Sequence, residues 1–155
     1  MLSFRSTRKS VLISFALVFA LGLTACGLDE YADATNTAMA NYNSASQAAT
    51  QQLQMINEDN AIIGDADWQD QTYSALDELE AAGQAFASLP ETPAGYEEVD
   101  SLVTDLAFAT TSFVDTARDM IGTQDINQVD AINEDLATMN DLVTQIDAAI
   151  TAANE

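Results

Sequence analysis

DINQVDAINEDLATMNDLVTQIDAAITAA, residues 125–153, is the stretch that decides the fold. Val129, Ile132, Leu136, Met139, Val143, Ile146, Ile150 and Ala153 follow one another at spacings of 3, 4, 3, 4, 3, 4 and 3. That unbroken heptad lines one stripe of a helix with apolar side chains, the seam geometry of left-handed, coiled-coil-like bundle packing. Asp125, with Gln128 three residues on, resembles a capping box at the helix start.

Working outward, the preceding segment repeats the pattern. Val99, Leu102, Val103, Leu106, Ala109, Thr110, Phe113, Ala117, Met120 and Ile121 share one helical face. Thr92 reads as its N-cap, Pro93 as its first helical residue and Gly122 as its C-cap. The short connection 122–124 forces the two helices antiparallel. A weaker helix, 67–89, turns Tyr73, Leu76, Leu79, Ala82, Phe86 and Leu89 toward a core; Asp67 with Asp70 reads as its cap, and Pro90 ends it. The first helix, 29–56, has a stripe of smaller residues: Leu28, Tyr31, Thr35, Ala38, Met39, Tyr42, Ala45, Ala49, Leu53 and Ile56. Strand signals and hairpin dipeptides are missing. The expectation is all-α: an antiparallel, up-down four-helix bundle spanning 26–155. Its competitor is a helical hairpin pair that completes its core by dimerising.

Upstream of the bundle the chain changes character. Arg5, Arg8 and Lys9 precede an apolar run of about 13 residues, from Val11 to Leu23. This is the length of a signal-peptide core and too short for a comfortable membrane span. The run ends in Leu23-Thr24-Ala25-Cys26, and Cys26 is the only cysteine. The sequence here resembles the lipobox of bacterial lipoprotein precursors. The resemblance covers the first 26 residues and implies a cleaved leader, 1–25, with fatty acyl groups such as palmitate carried by Cys26. Several acyl chains, at about 0.8 kcal/mol per buried methylene, hold a protein on a membrane where one would be marginal. The alternative is an uncleaved N-terminal anchor. Only Gly27 and Leu28 separate Cys26 from the first helix, which sets that end of the bundle at the bilayer.

The charge falls after the leader. Residues 26–155 hold 16 Asp and 9 Glu against Arg118 alone, a formal charge of −24, with no Lys and no His. Such self-repulsion keeps a protein soluble and works against compaction at low ionic strength. Added salt screens it, so an exported acidic domain suits a saline medium; a halophilic or marine source is the expectation. The same charge excludes nucleic acid as a partner, because phosphate binding needs Lys and Arg.

Chemistry is sparse. The absence of His removes the commonest general base, and no Gly-rich phosphate loop or nucleophile elbow occurs. No enzyme activity and no cofactor are expected. Asp65, Asp67 and Gln69 begin like a calcium loop, but Asp70 stands where Gly is required and Leu76 where a bidentate Glu is required. Asp59, Asp65, Asp67 and Asp70 remain candidates for a looser cation site. In the loop 57–66, Ile62 and Ile63, with Trp68 beside them, either plug the end of the core or form a docking surface distal to the membrane. Arg118 is either paired with Asp115 on its own helix or turned to carboxylates of a neighbouring one. Two functions follow as expectations. One is a non-catalytic, lipid-anchored envelope lipoprotein acting as an interaction or accessory bundle for another envelope protein. It would sit on the periplasmic face of the outer membrane in a Gram-negative cell, or on the outer face of the cytoplasmic membrane otherwise. The other is a cation- or small-ligand-binding lipoprotein, which requires a pocket lined by Tyr31, Met39 or Tyr42.

Overall fold

Four long helices and three short 3-10 turns make up the computed structural model, which describes residues 28–153. Residues 1–27, with the leader and Cys26, lie outside the described residues. The helices are α1 (Leu28–Glu58), α2 (Ala66–Gln84), α3 (Glu97–Thr123) and α4 (Val129–Ala153). The 3-10 turns are Asn60–Gly64 before α2, Ala85–Ser88 after it, and Ile126–Gln128 before α4. Close backbone approaches join α1 to α2, α2 to α3 and α3 to α4. Short connections between consecutive neighbours make the bundle antiparallel, up-down-up-down. No described helix is long and apolar enough to cross a membrane.

The α4 heptad works as expected. Ile132, Leu136, Met139, Val143, Ile146 and Ile150 are buried, and Val129 and Ala153 pack at the margins. From α1, Tyr31, Thr35, Ala38, Met39, Tyr42, Ala45, Ala49, Leu53 and Ile56 are likewise buried. One chain therefore completes this core, without the second copy that the hairpin alternative needed. The α3 face is wider than one stripe. Val114 is buried beside Phe113, and Ile121 beside Met120, because α3 lies between α2 and α4.

Three helix ends differ from the sequence reading. Helix α3 starts at Glu97 instead of Pro93, because Gly95 has φ 93°, which no helix can continue. The chain makes a turn there, with Tyr96 N–H donating to Pro93 O at 3.1 Å. Tyr96 then buries its ring edge-on to Tyr31, with centroids 5.9 Å apart. At its far end α3 passes through Gly122, and Gln124 takes the left-handed conformation with φ 54°. Gln124 N–H donates to Ile121 O and Asp125 N–H to Met120 O, a Schellman closure that keeps Met120 and Ile121 helical and buried. At the start of α2 the cap is Asp65, whose Oδ1 accepts from Trp68 N–H at 2.8 Å; Asp67 falls in the first turn. The Asp125 carboxylate does cap its turn, accepting from Asn127 N–H, but Gln128 reaches back to Asp119 Oδ2 at 2.7 Å.

Candidate functional site

The end of the bundle that holds the α1–α2 connection is built from its caps. Asp59 Oδ1 accepts from Ala61 N–H at 2.9 Å and opens the 3-10 turn; Asp65 opens α2. Between them the turn folds inward. Ile63 is buried and Ile62 half-buried. Trp68, 4% exposed, donates its Nε1–H to Gln52 O of α1 at 3.1 Å. Gln69 Nε2 donates to Ile63 O, and the buried Thr72 hydroxyl to Trp68 O. The Trp68 bond ties the start of α2 to α1, and the Gln69 bond ties the 3-10 turn to α2. Of the two readings these residues allow, plug or docking surface, Ile63 and Trp68 are buried as a plug of the core. Only Ile62 retains partial exposure. The large apolar side chains exposed at this end are Met55 and Ile126, with 41% and 39% of their surface open.

The four candidate cation ligands do not come together as a cluster among the described residues. Asp59 and Asp65 are engaged as caps, Asp67 and Asp70 are exposed, and no group of three or more acidic or other ligating residues able to hold a metal occurs among the described residues. A carboxylate close to the positive end of a helix dipole is already well placed without a metal.

Arg118 does turn to a neighbouring helix. Its guanidinium, on α3, meets Asp77 Oδ1 at 2.5 Å and Glu80 Oε2 at 2.8 Å, both on α2. Asp77 and Glu80 are three residues apart, so they share a face and flank the fork. Burial pulls the Arg118 pKa down, but bonding to Asp77 and Glu80 and their charges outweigh it, and the net direction is upward. No carboxylate between residues 30 and 153 is buried.

Inside, a polar contact joins α1 to α3. Tyr42 Oη and Thr110 Oγ1 are 3.0 Å apart, and the Thr110 hydroxyl donates to Leu106 O at 2.7 Å. Burial pushes the Tyr42 phenol well above its ordinary pKa, and Thr110 offsets this only in part. Burial also raises Tyr31, assisted by the negative charge of Asp100, while the hydroxyls of Thr35 and Thr92 temper the rise. Tyr31, Met39 and Tyr42 are each at most 1% exposed, and the space beside Tyr31, among Thr35, Tyr96, Val99 and Ile150, is about 10 Å³. No ligand larger than one water fits there. A shallow, open trough of about 420 Å³ runs outside, between α1 at Ala34 and Ala38 and the segment Ala85–Leu89. It exists because α2 and its 3-10 extension end at Ser88, short of the full length of α1. Sequence reasoning missed this trough, since it depends on the relative lengths of two packed helices.

Neither a protein-family model, nor a curated protein, nor a solved structure matches this chain.

Proposed function

We propose that the protein is a non-catalytic envelope lipoprotein, tethered through Cys26, whose bundle is an interaction body held against a membrane. The observation that carries this reading is the run Leu23-Thr24-Ala25-Cys26 at the end of a basic and apolar leader, two residues before α1 begins at Leu28. With so short a tether, α1 rises directly from the anchor, and the α1–α2 loop stands at the far end. At 1.5 Å per residue, 31 helical residues place that loop roughly 46 Å out. The filled core supports an interaction body over the small-ligand alternative, since Tyr31, Met39 and Tyr42 leave no ligand-sized space among them. The partner expected is another envelope protein; with Arg118 as the single basic residue of 26–155, nucleic acid is not expected.

The acidic, almost cation-free surface supports a saline setting. Melting temperature is expected to rise between 0.05 and 2 M NaCl as screening shortens from above 10 Å to below about 3 Å; a flat profile removes that element of the proposal. For the tether, the parent protein is expected to incorporate labelled palmitate and the Cys26→Ser precursor none; label that persists in the variant refutes it.

A further inference from the structure

The outer face of α1 carries no charge between Asp33 and Glu58. Residues 34–57 are 24 consecutive positions without Asp, Glu, Lys or Arg, whereas the longest such run after Glu58 is ten residues, 81–90. At 1.5 Å per residue the run covers about 36 Å of helix. Its outward side chains are small or amide-bearing: Ala40, Ser44, Gln47, Gln51 and Gln54 are exposed, and Met55 closes the row. The other helices differ. α2 exposes Asp67, Asp70, Asp77 and Glu78; α3 exposes six carboxylates; α4 exposes Asp130, Glu134 and Asp141.

We infer that this face pairs with the same face of a second copy, α1 against α1. Two molecules that each carry −24 repel wherever carboxylates meet, and between Ala34 and Asn57 the outer surface of α1 lets two copies touch without bringing carboxylates together, with Asp33 and Glu58 bounding that stretch. Its chemistry is self-complementary, as a two-fold contact requires. A glutamine amide both donates and accepts, so Gln47, Gln51 and Gln54 of one copy satisfy those of its twin, which a carboxylate cannot do for another carboxylate. Ala40 and Ser44, one turn apart, let the two backbones approach closely. A membrane surface is the poorer occupant, because the face lacks the Lys, Arg and large apolar side chains of interfacial helices. The pairing stands independently of the tether. If the tether holds, both α1 helices rise from one bilayer and pair in parallel.

The test is disulfide crosslinking of the full precursor, expressed with its leader and oxidised in isolated membranes. Ser44→Cys is expected to give a disulfide-linked dimer, and Thr111→Cys on the outer face of α3 none. Adding Gln47→Glu and Gln51→Glu to Ser44→Cys is expected to lower the crosslinked fraction about tenfold with helicity unchanged, whereas Gln47→Asn with Gln51→Asn preserves it. A monomeric Ser44→Cys protein, a crosslink to a different protein, or an introduced thiol that lipid shields from soluble maleimide overturns the inference. The parent chain reports on the tether separately: a dimer through Cys26 itself shows a free thiol there and counts against lipidation, leaving the α1 pairing to be judged on Ser44→Cys in a Cys26→Ser background.

Discussion

Arg118 on α3 and Asp77 on α2 are joined across the helix interface at 2.5 Å, and the same guanidinium reaches Glu80. The described surface has this one fork of positive charge in a field of carboxylates. Side-chain exposures of 32% and 68% leave the Arg118–Asp77 pair well screened, so its value is modest. Arg118→Met is expected to cost about 1 kcal/mol or less at 0.1 M salt. The cost should shrink at 1 M, where the Debye length falls to about 3 Å. Urea denaturation at both salt concentrations measures this; a cost that grows with salt contradicts the electrostatic account.

Gly83 of α2 packs against Thr110 of α3. A Cβ there would lie 3.1 Å from Thr110 Cγ2. Thr110 has little room to yield, since its hydroxyl is held by Leu106 O and Tyr42. Gly83→Ala should therefore destabilise by about 1–3 kcal/mol through overpacking, despite the gain of about 1 kcal/mol in helix propensity. Thr110→Ser removes Cγ2 and keeps the hydroxyl. In a double-mutant cycle it should recover most of the loss, and additive costs would show that the two sites do not touch.

Alkaline pH should unfold the bundle. Tyr31 and Tyr42 both have folded pKa values above the ordinary 10. Between the unfolded and folded values the native state holds protons that the unfolded chain has released. Stability from these groups is thus complete below pH 10 and is lost as pH rises above it, by up to about 1.4 kcal/mol per pH unit for each tyrosine. Tyr42→Phe should roughly halve that slope. At neutral pH it should cost about 1 kcal/mol for the lost bond, because Thr110 keeps Leu106 O as a partner. Equilibrium unfolding from pH 8 to 11.5 is the measurement.

The α2 cap separates two neighbouring aspartates. Asp65→Ala removes the acceptor of Trp68 N–H and should cost about 1 kcal/mol. Asp67→Ala loses only a first-turn charge and should cost a few tenths. Thermal melts of the two variants, with and without calcium, decide it. Equal costs, or a calcium-dependent difference, would contradict the assignment of these residues as caps.

These contrasts show what the sequence carried. The α4 seam was legible because Ile132, Leu136, Met139, Val143, Ile146 and Ile150 obey one period and face one core. The helix ends were less so. Thr92 and Pro93 have the right types for a helix start, but the backbone of Gly95 and the burial of Tyr96 against Tyr31 set the start at Glu97. Ile63 and Trp68 have the composition of either a plug or a patch. Their burial, and the reach of Trp68 Nε1 to Gln52 O sixteen residues away, distinguish the two. Thr110 was placed on the core face of α3, yet its contacts with Tyr42 and Gly83 depend on how three helices meet, which no single-helix period encodes.

The tether is the claim on which the proposed function rests, and intact-mass analysis of the protein extracted from membranes tests it most directly. The account predicts a chain that begins at Cys26, heavier than residues 26–155 alone by a diacylglyceryl group with or without one further acyl chain. A mass equal to the unmodified 155-residue chain, or a processed chain with a free Cys26 thiol, would contradict it.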